Sequence, residues 1–337
     1  MSSPLEQIIK KIIAKQGAIS VAEYMNLALA HHEHGYYMGR DPLGVAGDFT
    51  TAPEISQVFG EIIGAWLANQ WLLLGAPDNI ALVELGAGRG TLMADILRAT
   101  KNIKGFYEAT SVHIVEISPH LRQKQWKTLA GKHERIEWHE TIDTLPQSPI
   151  FLVANEFFDA LPIRQFVRSE AGLLEKTIIV EDDKLKFSAS PRNEGDIVET
   201  CEPATNIMRS LAKHIKTHKG AGVIIDYGYV GGSAGDTLQA MKNHKYHDVL
   251  ADVGEADITA HVDFLALAEA ARAEGIIAED AIPQGAFLMR SGAGERTTNL
   301  CAISAPEQQK SLVSGLKRLA DPEEMGELFK VLIIKSA

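Results

Sequence analysis

The sequence predicts an α/β protein: a doubly wound, largely parallel sheet preceded by a helical N-terminal region and interrupted by a β-rich insertion. Three observations predict it. Short apolar runs (IALVEL at 80–85, SVHIVEI at 111–117, RIEWH at 135–139, PIFLVANE at 149–156 and GAGVIID at 220–226) alternate with stretches of helical spacing. Strands covered by helices on both faces read this way. The first run ends in a glycine-rich turn that opens onto a helix, VELGAGRGT at 83–91. The second closes on an acid, Glu116, just before Ser118-Pro119, residues suited to a helix cap and first turn.

The elements follow in order. PLEQIIKKIIAKQG places Leu5, Ile8, Ile9, Ile12 and Ile13 at helical spacing and stops at Gly17. It has no arginine and contains Glu6, so it reads as a docked helix rather than a mitochondrial presequence. A second helix runs from Val21 to about His32. The loop HEHGYYMGRDPLGVAGDFTTAPE is long for a compact region, which points to function. Its aromatics Tyr36, Tyr37 and Phe49 argue against a disordered linker. Another helix covers Ile55 to about Leu74. We expect residues 1–78 to form an N-terminal helical and lid region, and 79–337 the sheet domain, with the insertion at about 162–200.

Past the glycine turn a helix spans about Thr91–Ala99. FVRSEAGLLEKTIIVEDDKLKFSAS reads as two or three antiparallel strands, and a helix follows from about Ala204 to His218. The stretch from Gly231 to His261 reads as a polar loop before the helix FLALAEAARAEG. AFLMRSG and the terminal VLIIKS read as late antiparallel strands.

Composition narrows the function. With 337 residues, 45% hydrophobic and 23% charged, the chain is an ordinary globular protein. A net charge of −11 argues against a nucleic-acid partner held by phosphate neutralisation and suits an enzyme or a basic partner. Cys201 and Cys301 are too few for a disulfide framework and read as buried thiols of a cytoplasmic protein. No apolar run approaches the ~18–20 residues that membrane insertion needs.

The glycine turn selects the cofactor. A dinucleotide turn requires G-x-G-x-x-G, and here Thr91 stands where the third glycine belongs. The pattern is instead E-x-G-x-G-x-G: Glu84, Gly86, Gly88 and Gly90, with Ala87 between the first two glycines. Glu116, ending the second strand, can accept two hydrogen bonds from a ribose diol. Together these features resemble the class I methyltransferases, whose cofactor is S-adenosylmethionine. That cofactor has no pyrophosphate and lays its methionine end over the turn.

Further stretches resemble a narrower group. GYYMGRDPLGVAGDFTTAPEISQVFGE (35–61), NEFFDALPIRQF (155–166), DYGY (226–229) and DITAHVDF (257–264), with VELGAGRGTL, are similar to the signature segments of the MidA-like methyltransferase family. The likeness runs from about residue 18 to 305 in the same order. It implies a class I methyltransferase Rossmann-like fold and S-adenosylmethionine as cofactor. The family's mitochondrial member, an assembly factor for respiratory complex I, is a protein arginine methyltransferase, so the implied partner is a protein substrate, a complex I subunit. The chain departs from the pattern at Thr50-Thr51-Ala52-Pro53, where a serine is expected before the proline, and it is short between the last helix and the terminal strand.

Methyl transfer from a sulfonium is an in-line displacement, and much of its rate comes from positioning. A guanidinium acceptor adds a need for carboxylates that grip it bidentately. Asn155, Glu156 and Asp159, at the end of the fourth strand, are the leading acceptor-side residues; Asp159 can equally start a helix as its cap. Asn155 can also meet the methionine amine, and Thr51, with Asp48 and Glu54, can fold over the cofactor. Glu54 suits a first helical turn equally well, and Gln57 shares its face. His261 is a substrate-side candidate, while Thr259 and Asp263 can be local caps. His31, His32 and His34 have no matching distant cluster, so no metal is expected. The alternatives are a small-molecule N- or O-methyltransferase and a binding protein with a vestigial cofactor site.

Overall fold

The computed structural model describes residues 3–39, 50–170, 172–189, 197–232 and 235–337. Asp48 and Phe49 lie outside these residues. The chain divides into two compact units: residues 1–49, 158–205 and 231–262, and residues 50–157, 206–230 and 263–337. The second unit gathers the helix before the first sheet strand, so the division does not fall at residue 78.

The larger unit holds the expected sheet. Its strands, numbered along the chain, are β1 (Ile80–Leu85), β2 (Thr110–Val115), β3 (Ile136–His139), β4 (Ile150–Asn155), β5 (Gly220–Tyr229), β6 (Ile277–Ala278) and β7 (Phe329–Lys335). Their spatial order is β6-β7-β5-β4-β1-β2-β3. The strands β1 to β5 pair in parallel, and β7 runs antiparallel to β5 and β6. Every residue of β1 and β4 is buried, which is why these strands read as unbroken apolar runs rather than alternating ones. Strand order reverses between β1 and β4, and that crevice at the carboxyl ends of the strands is where a doubly wound sheet takes its ligand.

The core of this unit packs Val58, Phe59, Ile63 and Leu67 of the helix Gln57–Leu73 and Leu92, Met93 and Ile96 of the helix Thr91–Thr100 with the sheet residues Leu82, Val112, Val153 and Val223. The two helices approach closely at Gly64, where a β-carbon would lie 3.1 Å from the Ile96 Cα. Glu61, buried in the first of them, accepts hydrogen bonds from Arg98 and, at 2.6 Å, from Arg296.

One expectation fails here. AFLMRSG does not form a strand: Gln284–Arg290 is a helix. The opening residue Gln284 is fully buried and donates to the Leu319 carbonyl at 2.8 Å, so the apolar Phe287 and Leu288 serve a helix–helix contact. The edge strand is instead the two-residue β6. The helices Ala293–Ala302 and Pro306–Ala320 lie between Gln284–Arg290 and the terminal strand.

The smaller unit combines the helices Pro4–Gln16 and Val21–Ala30 with a sheet made by the insertion: Arg164–Ser169, Gly172–Glu181, Lys184–Phe187 and Ile197–Thr200, joined at the edge by Ile19–Ser20. Ser20 and Glu23 cap the second helix reciprocally. The stretch expected to be a polar loop contains a small antiparallel sheet of Gln239–Lys242, Lys245–His247 and Asp257–Thr259. Its buried Ala240 and Ile258 join the core of Leu5, Ile9, Tyr24 and Met25. Cys201 and Cys301 are free and half-buried rather than buried. No helix among the described residues is long and apolar enough to cross a membrane.

Candidate active site

The glycine turn is built as its sequence requires. Gly86, Gly88 and Gly90 all have positive φ, at 64°, 52° and 82°, a region that only glycine enters without strain. A β-carbon on Gly86 would lie 2.7 Å from Cδ2 of Phe157. The turn is closed by Gly90 N–H donating to the Ala87 carbonyl (2.7 Å) and by Gly86 N–H donating to the Val115 carbonyl (2.9 Å). Gly90 then leads into the helix Thr91–Thr100.

Glu84, on β1, is buried and receives a backbone hydrogen bond from Met93, near the start of that helix. Its Oε2 has no hydrogen-bond partner. Burial pushes its carboxyl up to about 8; the Met93 bond opposes this and the charge of Glu116 adds to it. Asn155, at the end of β4, is likewise buried, and its Oδ1 has no partner. Two acceptor atoms thus stand unsatisfied on strands that flank the switch point, and a buried acceptor left unpaired costs stability unless a ligand meets it.

Glu116 follows β2 and is buried. Ser118 N–H donates to its Oε1 at 2.9 Å and Gln125 Nε2 to its Oε2 at 3.0 Å. The backbone N–H of Ile117 is a third donor to it, and a carboxylate offers about four acceptor positions, so one stays open toward the crevice. Burial raises its pKa, while the bonds from Ser118 and Gln125 pull the other way. Ser118 caps the helix Pro119–Leu129, as its sequence position implied.

Gln125 is the residue that sequence reasoning missed. It is fully buried, and its Nε2 donates both to Glu116 and, at 3.0 Å, to the Gly88 carbonyl. Trp138 Nε1–H donates to its Oε1 at 2.9 Å. One side chain therefore ties the glycine turn to the Glu116 carboxylate.

The segments 50–61 and 155–157 are tied together within the same unit. Glu156 has φ of 50°, strained for a residue with a β-carbon. The strain is held by its N–H donating to the Ile225 carbonyl (2.9 Å) and by Ala52 N–H donating to its Oε1 (3.0 Å). Asn155 Nδ2 donates to the same oxygen at 3.0 Å. Thr51, at the start of the helix Ala52–Ile55, makes no side-chain cap; Glu156, the residue after β4, accepts the Ala52 N–H in its place. Glu54 accepts a 2.6 Å bond from the Thr91 hydroxyl, which joins it to the helix after the glycine turn. Gln57 Nε2 donates to Glu61 at 3.1 Å. Asp226, fully buried at the end of β5, accepts from Phe157 N–H at 3.1 Å and Tyr227 N–H at 3.0 Å. It explains the DYGY segment, to which the sequence alone gave no role.

The other two candidates lie in the smaller unit. Asp159 is buried and its carbonyl accepts from Ala260 N–H at 3.0 Å. No helix begins there, so the capping alternative is removed. His261 is half-buried, donates through its backbone N–H to the Thr237 hydroxyl at 2.9 Å, and has its pKa lowered by burial. Asp263 does cap the helix Phe264–Ala273, whereas Thr259 belongs to a strand. The His31, His32 and His34 rings stack on one another, and His31 Nδ1 receives the backbone N–H of Glu33 and His34.

Glycine turn, acid-ended second strand and unsatisfied acceptors fit S-adenosylmethionine, and the comparisons with known proteins agree. A family profile for S-adenosyl-L-methionine-dependent methyltransferases matches residues 62–281. The chain belongs to this family. Its cofactor is S-adenosylmethionine and it is an enzyme of methyl transfer. Among curated relatives, the Danio rerio protein arginine methyltransferase NDUFAF7, mitochondrial, is 38% identical over 97% of this chain and 86% of that protein. The Homo sapiens protein of the same name is 35% identical over 97% and 82%. A methyltransferase-like protein from Burkholderia thailandensis, crystallised with S-adenosyl-homocysteine, superposes with a TM-score of 0.85 at 27% identity, covering 99% of this chain and 94% of that one.

Proposed function

We propose that this methyltransferase acts on the guanidinium of an arginine in a protein and, by the family resemblance, on a subunit of respiratory complex I. The observation that carries the reading is the likeness to named protein arginine methyltransferases along 97% of the chain. Charge supports it: a chain with net charge −11 suits a basic acceptor segment.

The cofactor, when bound, supplies a methyl group on a sulfonium. The residues of this chain do the rest. Gly86, Gly88 and Gly90 let the backbone come close, Glu116 holds the ribose, and the open acceptor atoms of Glu84 and Asn155 suit an ammonium. Glu156 keeps segment 50–61 in place rather than gripping the acceptor alone. Asp159 is our choice of acceptor acid. Asp257 is a second buried acid in the same unit, bonded to the Tyr37 hydroxyl at 2.8 Å. A planar guanidinium can engage two carboxylates, which an ammonium cannot match in geometry.

The test is transfer of a labelled methyl group from S-adenosylmethionine to protein extracted from a strain lacking the gene, followed by mass spectrometry of the labelled residue. Label on arginine is expected. Label confined to lysine or to small molecules would refute the arginine assignment.

A further inference from the structure

Outside the cofactor site, the sheet edge formed by β2 and β3 carries a cluster that methyl transfer does not use. In the parallel register His113 lies opposite Glu137, and Val115 opposite His139. Residues two apart on a strand share a face, so His113, Glu137 and His139 gather on one face of the sheet. Both histidines are buried, and Glu137 is exposed at 69%. His113 Nδ1 and His139 Nε2 stand 2.9 Å apart, and a Glu137 oxygen lies 3.9 Å from His113 Nδ1. One ligand atom from each of the three residues falls within 4.8 Å of the others.

The outward nitrogens are equally ordered. His113 Nε2 meets the Ser111 hydroxyl at 2.9 Å, and His139 Nδ1 meets the Thr144 hydroxyl at 2.8 Å. Each hydroxyl has a carbonyl within reach: Ser111 donates to Ile80 at 3.1 Å, and the Thr144 hydroxyl, 3.1 Å from the Thr141 carbonyl, can turn its proton either to that carbonyl or to His139 Nδ1. Metal-bound histidines are anchored in this way, with the distal nitrogen held by a second partner. Burial lowers the pKa of both imidazoles, against the opposing charge of Glu137, and so favours the neutral form that binds metal.

We propose that His113 Nδ1, His139 Nε2 and the Glu137 carboxylate form a site for a divalent transition-metal cation of the zinc type, on the sheet edge beside the cofactor strands. Two imidazoles and a carboxylate suit such an ion and leave one position open. Tetrahedral bonds of about 2.0 Å would set the two nitrogens roughly 3.3 Å apart, so the rings need to part by only a few tenths of an ångström. No proton has to leave. Without metal, Ser111 commits its proton to Ile80, so His113 carries its proton on Nε2 and Nδ1 accepts from His139 Nε2–H. On binding, the His139 proton moves to Nδ1 and points at Thr144, whose own proton goes to Thr141. Exposed Glu137 gives the ion a way in. The site would pin β3, a four-residue edge strand whose His139 carbonyl receives the Glu116 N–H at 2.9 Å.

The experiment uses the full chain, stripped with a chelator and titrated with Zn²⁺ alone and with Co²⁺ alone. We expect one ion per chain, visible Co²⁺ absorption of a low-symmetry site, and a rise in melting temperature with Zn²⁺. Glu137→Gln, at an exposed position that leaves the fold intact, should weaken Zn²⁺ at least tenfold, and His139→Gln should abolish the one-to-one binding. Imidazole ¹⁵N spectra of the unaltered protein should show His139 changing from the Nε2–H to the Nδ1–H form as Zn²⁺ is added. Absence of saturable binding at micromolar Zn²⁺, affinity unchanged in Glu137→Gln, or His113 and His139 resonances that do not respond to Zn²⁺ would each overturn the proposal.

Discussion

Replacing Glu84 by glutamine removes a strand-borne acid whose protonation sets the electrostatics beside the glycine turn. Glu84 is buried beneath the glycine turn, and burial lifts its carboxyl from 4.5 in the unfolded chain to about 8 in the folded one. The folded protein therefore holds a proton that the unfolded chain releases. A group of this kind contributes stability that is full below pH 4.5 and lost as pH rises through 8. Between pH 6 and pH 8 the unfolded chain is ionised throughout while the folded carboxyl stays protonated until late. The loss at about 1.4 kcal/mol per pH step, flattening near 8, comes to about 2 kcal/mol. Glutamine mimics the neutral acid and does not titrate. Urea denaturation of the cofactor-free proteins at pH 6 and pH 8 gives the comparison, because other titrating groups cancel between parent and variant. The parent should lose about 2 kcal/mol more than Glu84→Gln over this interval. Equal pH dependence in the two proteins would refute the buried, protonated Glu84.

Other outcomes follow from the same geometry. S-adenosyl-homocysteine brings an ammonium to the site, so its binding at pH 7 should release close to one proton per chain, read by calorimetry in two buffers of different ionisation enthalpy, and Glu84→Gln should release none. Gln125→Leu removes the bonds to Gly88 and Glu116 and should weaken cofactor binding by about 1.5–3 kcal/mol, the range for a hydrogen bond to a charged group, measured by titration calorimetry. Gly86→Ala forces a side chain into positive φ against Phe157 and should lower stability by about 1–3 kcal/mol in urea titrations. Glu61→Ala leaves Arg98 and Arg296 without their buried carboxylate; both arginines are partly exposed, so the expected loss by the same titration is about 2 kcal/mol.

The sheet was legible because its strands are buried on both faces and stand out as apolar runs between helices. Cap signals were legible for the same local reason: Ser118-Pro119 opens its helix where the sequence placed it. AFLMRSG misled because a short apolar run has no period to separate strand from helix, and only Gln284, bonded to Leu319, reveals the helix. The strands within 239–259 are three or four residues long, too short for alternation to show. In the site, the glycines and Glu116 were legible because their roles are local to one turn and one strand end. Gln125 was not, since glutamine on a helix normally faces solvent and its burial comes from β3. The strained φ of Glu156 and its bond to Ala52 arise from contacts across 104 positions of sequence. His113 and His139, 26 positions apart, become neighbours only through the parallel register of two strands.

We infer that the glycine turn and Glu116 together hold the cofactor. This is tested most directly by titrating the protein and Glu116→Ala calorimetrically with S-adenosyl-homocysteine and with its 2′-deoxyribose analogue. The parent should prefer the ribose form by about tenfold or more, matching one hydrogen bond to a charged acceptor, and Glu116→Ala should lose that preference. The same preference in both proteins, or no binding of S-adenosyl-homocysteine by the parent, would contradict it.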